Sequence, residues 1–134
     1  MQNLVGYFQQ NDQFANHVGI KLLSAEKGKA KAMMKVEKRH LNSAHVLHGG
    51  ALFTLADFVF AAASNSYGNI ALSINANINF IKAVHGGAIY AEAEEISRSR
   101  KIATYSIKIT DEVNEVVATM QGTVYRKSEP LPDL

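Results

Sequence analysis

Residues 48–66 read HGGALFTLADFVFAAASNS. This stretch has the length of a helix, with two glycines near its start and Gly68 just after its end, where helices favour glycine. It contains no Lys, Arg or Glu and a single Asp, Asp57, so it is apolar on nearly all sides. A helix of that kind is buried by the elements around it. We therefore predict a central helix over about residues 50–66, wrapped by the rest of the chain.

The residues on both sides of this helix follow the period of β-strands. Within residues 71–81, one face carries Leu72, Ile74, Ala76, Ile78 and Phe80, and the other carries Ser73, Asn75, Asn77 and Asn79. This alternation predicts a strand with one buried face. Further strands are predicted over residues 18–25, 29–36, 88–96, 101–110 and 115–126. Six strands with short connections and one helix indicate an α+β fold, in which an antiparallel sheet wraps around the helix.

The two ends of the chain are expected to be accessory to this unit. Residues 1–13 have a weak helical pattern, and about residues 1–17 are expected to form an N-terminal helix and lead-in. Residues 128–134 contain both prolines of the chain and are expected to be a flexible tail. With 134 residues, no internal repeat and no linker, residues 1–134 are expected to form a single domain.

Composition excludes several classes of protein. The chain has no cysteine, which excludes disulfides, thiolate metal sites and cysteine nucleophiles. Its 14 basic and 12 acidic residues give a net charge of +2, too balanced to indicate nucleic-acid binding. The longest apolar run, residues 51–63, is shorter than the roughly 20 residues of a membrane span, and no targeting signal is visible. We therefore expect a cytoplasmic protein that binds neither nucleic acid nor membrane.

Asp57 is the first candidate for chemistry. An ionised carboxylate in an apolar helix is costly unless it is paired, neutralised or functional. Thr54, Ser64 and Asn65 are spaced so that they form a narrow polar stripe with it. The alternative is that Asp57 marks the solvent edge of an amphipathic helix, although such an edge normally carries Lys, Glu or Arg.

The start of the helix is the second candidate. Gly49 and Gly50 leave backbone N–H groups unshielded at the positive end of the helix dipole, which suits a carbonyl oxygen or a developing oxyanion. Taken alone, the pair also fits an ordinary glycine-rich helix start, and His48 fits a capping residue. Two groups of basic residues either hold phosphates or lie in solvated turns. They are Arg98, Arg100 and Lys101, and Lys35, Lys38 and Arg39.

Two other kinds of site lack their sequence patterns. His40, His45 and His48 are close in sequence, but no HxH or HExxH spacing occurs and no carboxylate joins them, which argues against a metal site. The residue types of a Ser–His–Asp triad are present, yet the chain has no nucleophile elbow. Neither metal-dependent nor triad chemistry is therefore expected.

Asn42, followed six residues later by His48-Gly49-Gly50 and then by Asp57, resembles the signature of hotdog-fold acyl-CoA thioesterases. Within the 4-hydroxybenzoyl-CoA thioesterase superfamily, the chain is most similar to the PaaI-like branch, named after phenylacetic acid degradation. The resemblance extends over about residues 19–126 and includes the strand at residues 73–80. The dipeptide at residues 82–83 departs from it, since relatives often have proline after the basic residue there.

The resemblance implies a hotdog fold and thioester hydrolysis without a metal or redox cofactor, coenzyme A being part of the substrate. It implies that Asp57 is the catalytic carboxylate, as nucleophile or general base, and that the Gly49 N–H polarises the thioester carbonyl. His48 and Asn42 match supporting positions, and Ser73 matches a water-orienting hydroxyl of some relatives. The residues expected to contact the substrate and its CoA phosphates are Gly50, Thr54, Arg98, Arg100 and Lys101.

The leading hypothesis is a thioesterase acting on an aryl-acyl-CoA resembling phenylacetyl-CoA, or on a medium-sized acyl-CoA. The alternative is a non-catalytic acyl-CoA-binding hotdog protein, such as a ligand sensor or an accessory module. Regulators of that kind usually carry a helix-turn-helix, and too few residues precede the first predicted strand for one. A hotdog hydratase is a third option, but its usual His-plus-acid arrangement is not seen.

Helix geometry predicts that subunits share the site. Gly49 and Asp57 are eight residues apart, which is about 12 Å along a helix that rises roughly 1.5 Å per residue. Both groups must lie within about 3 Å of the reacting atoms. Two antiparallel helices across a two-fold axis bring them together twice. We expect a homodimer, and the resemblance to the family implies further assembly to a homotetramer through the polar face of Ser73, Asn75, Asn77 and Asn79.

Overall fold

The computed structural model describes residues 3–134, and a single sheet with one long helix dominates it. The elements are α1 (Leu4–Asn11), α2 (Gln13–Val18), β1 (Ile20–Glu26), β2 (Lys29–Lys35), α3 (Gly49–Ser64), β3 (Asn69–Phe80), β4 (Ala88–Arg98), β5 (Ile102–Thr110) and β6 (Val116–Pro130), with a 3-10 turn at Lys38–His40. The six strands form one antiparallel sheet in the order β1-β2-β4-β5-β6-β3. The predicted six-stranded α+β architecture is confirmed.

The helix α3 lies at the centre of the hydrophobic core and contacts all six strands. Its Leu55, Ala56, Val59 and Ala63 side chains are completely buried. The strands alternate, so that apolar residues face the helix and polar residues face outward. The inward residues are small or aliphatic for the most part, and include Ala30, Ala32, Ile89, Ala91, Ile107, Ile109, Val117 and Val124. Small inward residues allow the sheet to approach the helix closely.

The sheet approaches α3 closely at Gly122 of β6. A Cβ atom there would lie 2.6 Å from the ring of Phe60, which is itself buried. Glycine is therefore required at this position by the space that the ring occupies. The contact fixes how deeply α3 is seated in the sheet.

The N-terminal segment forms two helices, whereas the sequence predicted one. Asp12 ends α1 and caps α2, since its carboxylate accepts the Ala15 N–H at 2.9 Å. The Gln9 side chain binds β1, because it donates to the Ile20 carbonyl oxygen at 3.0 Å and accepts the Leu22 N–H at 2.6 Å. Residues 1 and 2 of the predicted helix lie outside the described residues.

No helix within residues 3–134 is long and apolar enough to cross a membrane.

The last strand is longer than predicted, because β6 continues to Pro130 instead of ending near residue 126. Pro130 pairs with Asn69 at the end of the ladder, where a missing N–H interrupts no further pairing. Beyond it, the Leu131 N–H donates to the Gly68 carbonyl oxygen at 2.9 Å, and the Tyr7 hydroxyl donates to the Pro132 carbonyl oxygen at 2.6 Å. Residues 128–132 of the predicted tail are thus attached to the body of the protein.

The edge strand β3 contains a bulge at Ile74. Ser73 pairs with Val124 and Asn75 pairs with Thr123, so Ile74 is an extra residue without a partner. The prediction of a single buried apolar face on this strand was wrong. Ala76 and Ile78 pack partly against the core, but the bulge reverses the alternation and turns Leu72 to the outer face beside Tyr125. The residues Leu72, Ile74 and Phe80 are 54%, 59% and 55% exposed.

The end of α3 corrects a second prediction. Ser64 and Asn65, expected on a polar stripe with Asp57, are buried at the C-terminal end of the helix. The Asn65 side chain donates to the Ala71 carbonyl oxygen at 3.1 Å and accepts the Ala71 N–H at 2.8 Å. These bonds close the turn from α3 into β3, so both residues have a structural role.

Candidate functional site

The sheet leaves one side of α3 uncovered. Gly50, Phe53 and Asp57 are exposed there, and Thr54 and Ala61 are half-buried. These five positions recur every three or four residues and form one face of the helix, which we call the open stripe. Asp57 carries the single charge of α3. The open stripe therefore presents one carboxylate on an otherwise apolar surface.

Asp57 lies at the surface of the single chain, not inside the core as its sequence context suggests. No ion pair within residues 3–134 engages its carboxylate. Partial burial raises the pKa of Asp57 above its ordinary value, and the negative charge of Asp12 raises it further. A carboxylate with a raised pKa is a stronger base than an ordinary surface Asp.

The first turn of α3 has one unpaired backbone donor, the Gly49 N–H. The Gly50 N–H donates to His48 Nδ1 at 2.8 Å. The N–H groups of Ala51 and Leu52 donate to the His48 carbonyl oxygen at 3.0 and 3.2 Å. Within the described residues, the Gly49 N–H has no hydrogen-bond partner. It lies at the positive end of the helix dipole and suits an oxygen atom that gains negative charge.

His48 is the N-cap of α3. Because its Nδ1 accepts a hydrogen bond, the neutral ring carries its proton on Nε2, which remains a donor. Neighbouring side chains limit the space beside both glycines after His48. A Cβ atom at Gly50 would lie 3.0 Å from the His48 Nδ1, and one at Gly49 would lie 3.1 Å from the Phe80 ring. The His-Gly-Gly sequence thus builds the cap and leaves the N–H of residue 49 free.

Asn42 shapes the loop that leads to His48. Its side-chain oxygen accepts the N–H groups of Ala44 and Val46 at 2.9 and 3.3 Å. A single bridge between Leu41 and Leu47 closes the same loop. The side-chain oxygen of Asn42 is therefore occupied by backbone donors, and the Asn42 side-chain NH2 group remains available as a donor.

Thr54 and Ser73 occupy different elements. The Thr54 hydroxyl donates to the Gly50 carbonyl oxygen at 2.7 Å, so both residues belong to the open stripe near the start of α3. Ser73 lies on the edge strand β3 directly before the bulge, and its side chain is exposed. Its place opposite the buried Val124 puts it on the inner side of the sheet, whereas Asn75 faces outward. The structure therefore separates Ser73 from the polar face to which the sequence assigned it.

Arg98 is not placed for phosphate binding. Its guanidinium stacks on the Tyr67 ring at 4.1 Å from the centroid, and its Nε lies 3.8 Å from a carboxylate oxygen of Glu95. Arg100 and Lys101 instead line a cavity of about 470 Å3 whose other basic residues are Arg126 and Lys127, which the sequence analysis missed. Tyr67 follows the C-terminal end of α3, and the start of the helix at Gly49 lies about 22 Å away along the helix axis. Arg98, which stacks on Tyr67, is therefore far from the Gly49 N–H of the same subunit.

A second cavity, of about 450 Å3, opens beside the first turns of α3. We call it the α2 cavity, and it is lined by Phe14, His17, Val18, Arg39, His40, Leu41, His48, Gly50, Ala51 and Thr54. This cavity is not visible in the sequence, since it depends on how α2 packs against α3. The one signal in the sequence is Phe14, a large aromatic residue among polar neighbours.

Similarities to known proteins agree with this geometry. Residues 44–118 match the Thioesterase superfamily. A putative esterase of Archaeoglobus fulgidus is 40% identical over 133 residues, which cover 98% of this chain and 86% of that protein. The acyl-coenzyme A thioesterase PaaI of Escherichia coli is 33% identical over 118 residues, covering 87% and 84%. A 1,4-dihydroxy-2-naphthoyl-CoA hydrolase of Listeria monocytogenes is 30% identical over 115 residues, covering 84% and 94%.

The fold is shared as well. The solved structure of Escherichia coli PaaI, a protein of the phenylacetic acid degradation operon, has a TM-score of 0.89 to this chain at 31% identity, covering 92% of this chain and 91% of PaaI. The relatives are thioesterases and esterases, which confirms the predicted enzyme class and does not favour a non-catalytic binding module. The chain therefore belongs to the thioesterase superfamily, as a PaaI-like acyl-CoA thioesterase with the hotdog fold.

Proposed function

We propose that this thioesterase hydrolyses an aryl-acyl-CoA resembling phenylacetyl-CoA, or a medium-sized acyl-CoA, to the free acid and CoA. The observation that carries the proposal is the pair of unpaired groups on α3, the Asp57 carboxylate and the Gly49 N–H. The naphthoyl-CoA hydrolase and the protein from the phenylacetic acid operon support an aromatic acyl group.

The Gly49 N–H and the Asp57 carboxylate have complementary roles in thioester hydrolysis. The Gly49 N–H donates to the thioester oxygen and stabilises the negative charge that develops there. Asp57 either removes a proton from an attacking water or attacks the carbonyl carbon itself, forming an anhydride that water then cleaves. In both routes the C–S bond breaks, the thiolate leaves and takes up a proton, and one water is consumed.

Neighbouring groups support these two. Asn42 holds the loop before α3, His48 caps the helix, and Ser73 orients the water. Gly50 and Thr54 contact the substrate along the open stripe. All the groups in the proposed reaction are side chains, backbone and water, so it requires no metal or cofactor, coenzyme A being part of the substrate.

The active unit in this proposal is a homodimer. Phe53 lies midway between Gly49 and Asp57, four residues or about 6 Å from each along α3. Two antiparallel α3 helices that cross a two-fold axis at Phe53 place Gly49 level with the partner subunit's Asp57, twice per dimer. The exposed apolar part of the open stripe and the unpaired edge of β3 supply the surface for this contact.

The antiparallel arrangement also explains where CoA extends. It extends the C-terminal end of the partner's α3 about 10 Å beyond the start of this one, and the extended CoA molecule can span from Gly49 to the basic cavity at that end. Arg100 and Lys101, with Arg126 and Lys127, then hold the phosphates of CoA. Arg98 contributes indirectly, because it stacks on the Tyr67 ring, which Arg126 of the same cavity also approaches, at 5.7 Å from the centroid.

Two dimers associate into a homotetramer in this proposal, through an uncharged patch on the outer face of the sheet. The patch consists of Asn75, Asn77, Asn79, Ser106, Thr119, Gln121 and Thr123. It differs from the rest of the outer face, which carries Lys31 and Glu92. A surface without charges is better suited to contact with another copy than to solvation.

The cytoplasmic location expected from the sequence is also part of the proposal.

A thiol-release assay with the purified protein tests the activity. The panel contains phenylacetyl-, hydroxyphenylacetyl- and hydroxybenzoyl-CoA together with short and long fatty acyl-CoA. We expect the highest kcat/KM with an aryl or medium-sized acyl group, and a loss of roughly a hundredfold or more in Asp57→Asn. Turnover confined to long-chain substrates, or an Asp57→Asn variant with more than about a tenth of the activity, would contradict the proposal.

A further inference from the structure

We infer that the α2 cavity takes the acyl group of the substrate and that Phe14 decides which acyl groups fit. This inference rests on the proposed thioester hydrolysis at Gly49. It assigns a role to α2, a short helix for which the proposed reaction has no use.

The α2 cavity lies next to the group that binds the carbonyl. Its α3 side consists of Gly50, Ala51 and Thr54, and His48 lies at its edge. His48 and Gly50 flank Gly49 in the chain, and the Gly49 N–H donates to the thioester oxygen in the proposed reaction. The acyl chain is bonded to the same carbonyl carbon as that oxygen, so it can extend into the cavity beside the first turns of α3.

Phe14 forms the outer wall of the α2 cavity. Its side chain is 62% exposed in the single chain, which is unusual for a large aromatic residue, and it lines the cavity with the partly buried Val18, Leu41 and Ala51. An aromatic wall of this kind stacks favourably on another ring. The exposed ring is explained if a bound acyl group covers it.

The wall is held in place by two residues after β2. Arg39 donates to the carbonyl oxygens of His17 and Val18 at 2.7 and 3.2 Å. His40 Nε2 donates to the same Val18 oxygen at 2.7 Å, because His40 Nδ1 accepts the Glu37 N–H at 2.9 Å. The His40 carbonyl oxygen in turn accepts the His48 N–H at 2.8 Å. The end of α2 and the start of α3 are thereby connected through one buried histidine, so the cavity is preorganised.

The polar groups of the cavity wall are largely committed, which identifies the class of acyl group. Both ring nitrogens of His40 are hydrogen-bonded, and the charge of Arg39 is paired with Glu37 at 3.0 Å. Within the described part of the cavity, no unpaired cation is therefore available to bind a second carboxylate of the acyl group. The volume of about 450 Å3 is at the lower end of the range of ligand pockets. An uncharged aryl or apolar acyl group fits this cavity better than a dicarboxylic acyl group.

Substitutions of Phe14 test the assignment through substrate preference. The measured quantity is the ratio of kcat/KM for phenylacetyl-CoA to kcat/KM for acetyl-CoA, whose acyl group is too small to reach the wall. We expect Phe14→Ala to lower this ratio by about tenfold, and Phe14→Trp to lower it because the larger ring fills the cavity. Leu23→Ala is the matched control, since Leu23 is 45% exposed on β1 away from the cavity and the ratio should stay at its wild-type value.

The outcomes separate this inference from the proposed function. Equal changes in kcat/KM for both substrates in the Phe14 variants would show that the cavity holds the pantetheine arm, and no change in either kcat/KM would show that it holds no part of the substrate. Either result overturns the inference while thioesterase activity stands. A wild-type protein that hydrolyses no acyl-CoA would overturn the proposed function and this inference with it.

Discussion

The Gly49 N–H and the Asp57 carboxylate belong to the same helix but lie about 12 Å apart along its axis. The separation is fixed, because α3 is a regular helix seated in the core and the buried residues on either side of Asp57 cannot move without disrupting it. Both groups can contact one thioester only if they come from different subunits. The distance between these two residues is therefore the strongest argument for a shared site.

Subunit complementation tests the shared site. Asp57→Asn removes the carboxylate, and Gly49→Pro removes the N–H at the first helical position, where proline is tolerated. Each variant alone should be inactive. After equal amounts are mixed and allowed to exchange subunits, half of the dimers are mixed and each has one intact site, so about a quarter of the wild-type activity should return. Exchange is verified with differently tagged subunits, and zero activity after verified exchange contradicts the shared site.

Asp57→Asn should also stabilise the protein at neutral pH. Since folding raises the pKa of Asp57, the folded chain binds the proton more tightly than the unfolded chain. Above the raised pKa the ionised carboxylate therefore lowers the free energy of unfolding, and this penalty disappears below the unfolded value of about 4. Urea unfolding should show Asp57→Asn more stable than wild type at pH 7, with the difference vanishing near pH 4.

A second aspartate provides a control of opposite sign. Lys82 donates a hydrogen bond to Asp111 at 2.7 Å, and this contact lowers the pKa of Asp111. Its stabilising effect is present above the unfolded pKa and is lost as pH falls through the lower folded value. Asp111→Asn should therefore be less stable than wild type at pH 7. If Asp57→Asn loses stability in the same way, its carboxylate is not destabilised by burial.

The substitution Phe53→Lys should dissociate the proposed dimer and, as a consequence, abolish its thioesterase activity. Phe53 is 36% exposed at the centre of the open stripe, and a lysine there meets the same lysine across the proposed two-fold axis. Charge repulsion and the loss of apolar contact both oppose association. Sedimentation should show monomers and the thiol-release assay should show loss of turnover, while circular dichroism stays that of a folded protein. Val113→Lys, at a position that is 71% exposed in a turn, should change neither.

The sequence predicted the elements better than their edges. The central helix and six strands follow from hydrophobic period, which each element repeats many times. The bulge at Ile74 was missed because one inserted residue leaves the apolar alternation of β3 intact while it turns Leu72 outward. The split between α1 and α2 was visible in principle, since Asp12 is a favoured N-cap residue.

The site was predictable where it is local in sequence. Asn42, His48, Gly49 and Asp57 lie within one short segment, so their spacing alone indicates the chemistry. The α2 cavity and the basic cavity were not predictable, because each joins segments far apart in the chain. Phe14 meets the start of α3 only after α2 packs, and Lys101 meets Arg126 only through the pairing of β5 with β6, where the Arg126 N–H donates to the Lys101 carbonyl oxygen at 2.7 Å.

The basic cavity should recognise the nucleotide of CoA and not the acyl group. Arg100 and Lys101 line it and form no ion pair within residues 3–134, so both charges are available to phosphate. The double variant Arg100→Ala/Lys101→Ala should raise KM for an acyl-CoA by about tenfold or more, while KM for the corresponding acyl-pantetheine, which has no phosphate, stays at the wild-type value. The matched control is Lys29→Ala/Lys31→Ala on β2, which removes two exposed lysines from the outer face of the sheet and should leave both KM values unchanged. An equal rise in KM for both substrates would mean that the two substitutions disturb the fold or the binding of the acyl group. The phosphates of CoA would then bind elsewhere.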